Sequence, residues 1–149
     1  MDSAKIDSAK RVMSGTWGEV WLDNDCVGEC FGLQAKVSFN KEDVSICGQI
    51  ATDKKVKSIS CTGSMRMHKV SSRMANAIGE AIRNGKDLRF TILSKLNDPD
   101  AYGAERVLLK NVSFDDLTLA DWEVATNGKV EAPFTFTDFE YLDIVRARR

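Results

Sequence analysis

Residues 58–92, SISCTGSMRMHKVSSRMANAIGEAIRNGKDLRFTI, decide the fold because the hydrophobic period changes twice within them. Polar and apolar side chains alternate from Ser58 to His68, which is typical of a strand with one dry and one wet face. Apolar residues then recur every three or four positions, as on one face of a helix. The period of two resumes at Leu88, Phe90 and Ile92. The stretch therefore predicts a strand, a helix and a second strand, with the helix packed on a sheet.

The helix is predicted over residues 72–84. Ser71 or Ser72 can cap its start, and Gly85 can end it in the left-handed conformation that costs other residues more. The residues expected on its core face are Val70, Met74, Ala77, Ile78, Ala81 and Ile82.

The flanking sequence adds further strands. An apolar row begins at Phe31 and continues through Leu33, Ala35, Val37 and Phe39, which predicts a long strand. Residues 40–57 break this pattern, are rich in charge and predict a long loop. Residues 117–126 and 129–137 are predicted to form a hairpin around Asn127–Gly128, with Pro133 at a sheet edge or bulge.

The predicted fold class is mainly β with one helix (α+β), an antiparallel sandwich or barrel with the helix packed against it. The length of 149 residues suggests one domain, which we expect at residues 14–143. Residues 1–13, which contain DSAK twice, are expected to be a polar arm that is either loosely ordered or ordered on a neighbouring subunit. Residues 144–149 are expected to be a basic C-terminal tail.

Composition and motifs argue against several classes. The net charge of -1 does not suit a protein that coats nucleic acid or anionic membrane. There is no apolar run long enough for a membrane span, and the N-terminus does not resemble a signal peptide, so the protein is expected to be made and kept in the cytoplasm or to leave by a route other than the general secretory one. Cys26, Cys30, Cys47 and Cys61 lack metal-site spacing and are expected to be reduced structural thiols.

No catalytic constellation is evident. The carboxylates lie mostly in turns and loops, where they are normally solvated, and His68, the single histidine, has no apparent nucleophile beside it. No phosphate-binding glycine loop or nucleophile elbow is present. We therefore expect a structural or binding protein without a cofactor or a metal, rather than an enzyme.

Long strands expose edges that a soluble protein must protect. The sheet can close on itself, or it can pair edge to edge with copies of the same chain in a ring. A closed monomeric β-barrel that binds a small apolar ligand is the alternative to a ring-forming subunit.

Several stretches together resemble the tail tube proteins of contractile phage tails and of related phage-tail-like particles, the tailocins and defective prophage elements. They are SGTWGEV from Ser14, LQAKVSFNKEDVSICG from Leu33, CTGSMRMHKVSSRM from Cys61, RNGKDLRFTI from Arg83, NDP from Asn97, LKNVSFDDLTLA from Leu109 and APFTFTDFEYLD from Ala132. Their order and spacing over nearly the whole chain make the resemblance fairly specific. The basic RARR ending, the four cysteines, and Trp17 with Trp21 are not part of it.

The resemblance implies hexameric rings that stack into a hollow tube, with an inner β-barrel shared by six subunits and the helix outside it. It implies that residues 40–57 reach the adjacent ring. The residues expected in this ring-stacking loop are Asn40, Lys41, Glu42, Asp43, Val44, Ile46, Ile50, Asp53, Lys54 and Lys55. The implied partners are other copies of the chain, a sheath, a baseplate or tube initiator and a tape-measure protein in the lumen, with DNA possible in transit. Stable membrane insertion of the subunit is not implied.

A water-filled lumen suits the mild polar row of the central strand. The residues expected to face the lumen are Gln34, Lys36, Ser38, Ser60, Thr62, Ser64 and Arg66. The apolar rows would then pack under the helix. This hypothesis requires that Ile59 and Met65 lie on the helix side of the sheet and Ser60 and Thr62 on the other side.

Overall fold

The computed structural model describes residues 6–146, which form mainly antiparallel strands with a short helical segment. The strands are β1 (Gly18–Leu22), β2 (Asp25–Cys26), β3 (Cys30–Val44), β4 (Asp53–His68), β5 (Phe90–Leu96), β6 (Glu105–Phe114), β7 (Lys129–Phe136) and β8 (Asp138–Asp143). The helical pieces are two 3₁₀ turns, Ala9–Arg11 and Gly15–Trp17, a π-helical turn, Ala75–Gly79, and the α-helix α1, Glu80–Arg83. The predicted fold class is confirmed.

One strand, β6, belongs to both halves of the sheet. The order is β2-β1-β5-β6-β7-β4-β3, and β8 also pairs with β6. Along most of its length β6 lies between β5 and β8, whereas its last residues, Ser113 and Phe114, pair with β7. The chain turns at Thr137, where β7 ends and β8 begins, so the two halves fold over one another around β6.

The longest feature is the β3–β4 hairpin, whose pairing runs from Cys30–Met67 to Val44–Asp53. The prediction of a loop over residues 40–57 is wrong at both ends, because only residues 45–52 lie outside the strands. A register shift explains the error. Asn40 pairs with Ser58 but Lys41 pairs with Val56, so Lys57 is an extra residue that breaks the alternation.

The core lies between the two halves of the sheet and under the helical segment. Its fully buried large side chains are Met65, Ile92, Leu109, Val112 and Phe134. Met74 and Ile78 of the helical segment belong to the same cluster, and Ala77 packs against it, as predicted.

Two residues predicted on the helix core face are exposed instead, Val70 and Ile82, and Ala81 is only half-buried. Val70 precedes the helical segment. The π-helical turn places an extra residue in the helix, which rotates the residues after it by about 100° and takes Ile82 off the core.

The helical segment ends as predicted at Gly85, whose φ is 72°. The Gly85 amide donates to the carbonyl of Ile82 and the Lys86 amide to the carbonyl of Ala81. These two bonds form a Schellman motif, which needs the left-handed conformation that glycine adopts most easily.

The predicted hairpin around Asn127–Gly128 is wrong. Residues 115–128 form no strand, and β7 begins after them at Lys129. Pro133 lies in β7 opposite the point where β6 ends, and its carbonyl accepts a hydrogen bond from the Asp115 amide just after β6. Since the N–H and C=O of one strand residue point to the same side, the N–H that proline lacks would face the same edge of β7.

The N-terminal segment from residue 6 lies on its own chain. Arg11 donates to the carbonyl of Asp100 (3.1 Å) and lies over the ring of Tyr102, while the Ser14 amide donates to the carboxylate of Asp98 (2.9 Å). Asp98 is buried, contrary to the expectation that loop carboxylates are solvated. Residues 1–5 of the expected arm and residues 147–149 of the expected basic tail lie outside the described residues.

Candidate assembly surfaces

The seven residues predicted to face a lumen lie together on one face of the β3–β4 hairpin. Directly opposite residues share a face, and the pairs are Gln34–Ser64, Lys36–Thr62, Ser38–Ser60 and Gly32–Arg66. The other face carries Cys61, Met65 and Met67, which are buried in the cluster that contains Met74 and Ile78. Met65 therefore lies on the core side, as the lumen hypothesis requires.

The polar face is larger than the sequence predicted, because β7 continues it. Thr135, Glu131 and Lys129 lie opposite Thr62, Arg66 and His68. The alternation of β7 was visible in the sequence, but the wrong hairpin assigned β7 a different neighbour, so its polar residues were not joined to those of β4.

Phe31 is the exception to the alternation of β3. A register shift between Cys30 and Gly32 frees Phe31 from pairing, and its ring lies 4.6 Å from the ring of His68, between centroids. The ammonium group of Lys129 is 5.9 Å from the Phe31 centroid. Phe31 thus lies with the polar-face residues, although the sequence placed it in the apolar row.

The polar face combines small neutral hydrogen-bonding groups with four charged side chains, those of Lys36, Arg66, Lys129 and Glu131. Asn40 donates to the hydroxyls of Ser58 (3.0 Å) and Ser60 (3.2 Å). The guanidinium of Arg66 lies over Gly32, where a Cβ atom would be only 2.6 Å from it. Such a surface is wetted easily.

The far end of the β3–β4 hairpin, residues 40–57, is an exposed arm. Two ion pairs join its strands, Lys57 to Glu42 (3.1 Å) and Lys54 to Asp43 (3.5 Å). Its tip, residues 45–52, carries Ile46 and Ile50, of which Ile50 is fully exposed. All ten residues predicted for ring stacking lie on this arm or at its base.

The apolar face of the hairpin continues beyond the core without cover. Phe39 and Ile59 pair with one another and are 62% and 49% exposed. They follow the buried Cys61 on the same face, but β7 reaches only to the pair Cys61–Phe136. Exposed apolar pairs of this kind indicate a contact with another molecule.

The sheet also has long unpaired edges within residues 6–146. β3, with 15 residues, pairs only with β4, and β8 pairs only with β6. Phe139, Tyr141 and Leu142 of β8 are exposed. Edges of this length without protection are expected to be covered by another chain.

An ion pair joins the β2–β3 connection to the start of the helical segment. The guanidinium of Arg73 donates to both carboxylate oxygens of Glu29, at 2.5 and 3.3 Å. This hydrogen bonding holds the pKa of Glu29 below its usual value. The pair is structural, since neither residue lies on the polar face or on the arm.

The four cysteines are free thiols that differ in burial. Cys61 is in the core, Cys30 is half-buried, and Cys26 and Cys47 are exposed. Burial raises the pKa of the Cys30 thiol, which disfavours its thiolate form. In residues 6–146 no three side chains of the metal-binding types come together.

None of the helices described in residues 6–146 has the length and apolar character to cross a membrane.

Comparison with known proteins gives one consistent result. Residues 6–143 match the family model described as phage tail tube protein. The phage-like element PBSX protein XkdM of Bacillus subtilis (strain 168) is 32% identical over 134 residues, which are 89% of this chain and 91% of XkdM. Protein YqbM of the same strain, described as uncharacterized, has the same identity and coverage.

Solved structures share the fold at low sequence identity. A chain from the sheath–tube complex of an extracellular contractile injection system, PVC, superposes with a TM-score of 0.70 at 10% identity, over 94% of this chain and 99% of that one. A chain from the anti-feeding prophage tube-terminating cap superposes with a TM-score of 0.68 at 12% identity, over 95% and 97%.

Proposed function

This chain belongs to the phage tail tube protein family, and from that membership we propose that it builds the inner tube of a contractile phage tail or phage-tail-like bacteriocin. Six copies form a ring, and rings stack into a hollow conduit. The conduit is driven through a target envelope when a surrounding sheath shortens. The fold shared with a chain of a sheath–tube complex supports the contractile class.

The unpaired edge of the sheet is the observation that supports a ring of subunits. The β3 edge and the uncovered pair Phe39–Ile59 are costly in an isolated chain and are satisfied when a second copy lies against them. The surfaces that meet are different on the two copies, and repetition of such a contact closes into a ring when the rotation between copies divides a full turn. The alternative is a monomeric ligand-binding barrel, whose sheet would close on itself. The unpaired β3 edge gives this alternative less support.

The polar face is proposed to line the lumen. It carries the seven predicted residues together with Thr135, Glu131 and Lys129, and the core lies on its other side. Serine and threonine hydroxyls bind water well and hold a moving polymer weakly. A tape-measure protein during assembly, or DNA in transit, could therefore pass without being trapped.

The arm at residues 40–57 is proposed to contact the adjacent ring, and the helical segment to face the sheath. A baseplate or tube initiator would start the stack. The work is mechanical, and the proposal includes no catalytic step and no cofactor. The chain would be made in the bacterial cytoplasm and function in the assembled particle, with residues 14–143 as the body of each subunit.

Particles from the producing bacterium test this proposal. We expect electron microscopy to show this chain in sixfold rings inside a sheath. Phe39→Asp should abolish rings while the isolated chain still folds, because Phe39 is exposed in the single chain. Ser38→Asp is the matched control, since Ser38 lies on the opposite, polar face. A chain that is absent from the tube, or a Phe39→Asp variant that forms normal rings, would contradict the proposal.

A further inference from the structure

We propose that residues 115–128, which we call the acidic loop, are the docking site for the arm tip of a second copy in the adjacent ring. This inference rests on the proposed function and adds the surface that receives the tip, residues 45–52. The two surfaces are complementary in position and in apolar character, and the strands next to the tip add lysines that complement the charge of the acidic loop.

The acidic loop and the arm tip lie at opposite ends of the longest strand. The tip precedes Asp53, the first residue of β4, whereas the acidic loop ends at Lys129, which pairs with the last residue, His68. The 16 residues of β4 span roughly 50 Å at about 3.3 Å per residue. A copy stacked head to tail along this strand direction would bring its tip to the acidic loop of the next copy.

The acidic loop exposes large apolar side chains that its own chain does not cover. Leu119, Trp122 and Val124 are all highly exposed, Trp122 at 81%. Leu117, by contrast, packs against the core and anchors the loop. Three exposed apolar residues within six positions indicate a contact surface, and tryptophan contributes strongly to such contacts. Ile46 and Ile50 on the tip offer apolar groups of matching kind.

The acidic loop is negative, whereas the arm is weakly positive outside its tip, and the tip itself, residues 45–52, has no charged residue. The acidic loop contains Asp115, Asp116, Asp121 and Glu123 and no lysine or arginine. None of these four carboxylates forms an ion pair within the described chain. Outside its tip the arm carries four lysines against Glu42, Asp43 and Asp53, and ion pairs inside the arm occupy Lys54 and Lys57. Lys41 and Lys55 have no ion-pair partner in residues 6–146 and point to an acidic partner.

A head-to-tail stack requires two different surfaces, one at each end of the subunit, that fit each other but not themselves. The arm tip and the acidic loop meet this requirement. The four carboxylates of the acidic loop also disfavour loop-to-loop contacts, which favours stacking of the rings with one polarity.

The exposed thiol of Cys47 on the arm tip provides a direct test. In particles that carry Cys26→Ser, the variant Ala120→Cys places a second thiol in the acidic loop, at an exposed position between Leu119 and Asp121. A short bismaleimide is expected to join Cys47 of one copy to the introduced thiol of the next and to give a ladder of linked subunits. Adding Cys47→Ser should abolish the ladder. Lys86→Cys in place of Ala120→Cys, at an exposed position outside both surfaces, should give no ladder.

Intact tubes without this ladder would overturn the inference and leave the proposed function in place. A link from the acidic loop to the sheath protein would also overturn it. Particles whose tube does not contain this chain would overturn both.

A charge exchange provides an independent measurement. Asp121→Lys with Glu123→Lys, and separately Lys41→Glu with Lys55→Glu, should each leave single rings or short stacks. All four substitutions together should restore long tubes, because the attraction is re-formed with exchanged signs. Normal tubes from either pair alone, or no recovery in the combination, would contradict the docking.

Discussion

The ring of Phe134 occupies the space that a side chain on Gly63 would need. The two residues are cross-strand partners in β7 and β4, and a Cβ atom on Gly63 would lie 2.6 Å from the ring and even closer to the carbonyl oxygen of Gln34. A glycine in mid-strand, which usually weakens a sheet, here allows a large aromatic ring to be fully buried.

Gly63→Ala should therefore destabilise the chain by about 1–3 kcal/mol, the usual cost of overpacking a core. Denaturant unfolding measures the change. Gly15→Ala is the matched control, because no atom lies within 4 Å of its added Cβ. Equal stability of the two variants would show that Phe134 can move away at little cost.

Replacement of residues 41–57 by Asn-Gly should leave a folded subunit that cannot stack. Asn40 and Ser58 are cross-strand partners, so a two-residue turn can join them, and β7 pairs with β4 only from Cys61 onward. Thermal unfolding should change little, whereas negative-stain microscopy should show single rings. Lys86→Ala, at an exposed position outside the arm and the acidic loop, serves as the control. Tubes of normal length from the shortened chain would refute the role of the arm.

The Glu29–Arg73 pair should make stability depend on pH in acid. Arg73 lowers the pKa of Glu29, so the ionised carboxylate is more favourable in the folded state than in the unfolded state. The pair contributes about 1–2 kcal/mol, as for a charged hydrogen bond, to the free energy of unfolding. This contribution is complete when the pH is above the ordinary glutamate pKa of 4.5, and it is lost as the pH falls through the lowered pKa of Glu29. Glu29→Gln should thus cost stability at pH 7 but not in strong acid.

Asp98→Ala should release the N-terminal segment. The buried carboxylate accepts hydrogen bonds from the amides of Ser14 and Asp100, both at 2.9 Å. Without it, two amides lose a partner, at a cost of about 1–3 kcal/mol, and trypsin should cut faster after Lys10 and Arg11. Asp100→Ala, which removes an exposed side chain of the same loop, is the control. Unchanged cleavage would mean that Arg11 and Tyr102 hold the segment by themselves.

The sequence predicted well where a residue's environment repeats along the chain. The strand from Ser58 to His68 was recognised because its alternation reflects one buried and one exposed face, and the Gly85 terminus because its backbone conformation favours glycine. The polar face followed from the same alternation.

The sequence misled where one inserted residue shifted the pattern. The extra residue at Lys57 made a strand pair resemble a loop, and the irregularity beside Gly32 moved Phe31 to the polar face. The π-helical turn displaced Ile82 in the same way. The two strand irregularities have no local signature, because each depends on the pairing of β3 with β4.

The wrong hairpin has a different cause. Residues 117–126 alternate in hydrophobicity, but Leu119 and Trp122 are exposed in the single chain. Periodicity detects that a side chain is covered, without showing whether the cover comes from its own chain or from another.

Because β6 contributes hydrogen bonds to both halves of the sheet, one half cannot slide past the other without breaking that strand's pairing. Each subunit should therefore resist shear as a single stiff block. A tube of such blocks would transmit a sudden axial thrust through its joints and deform little within each wall segment.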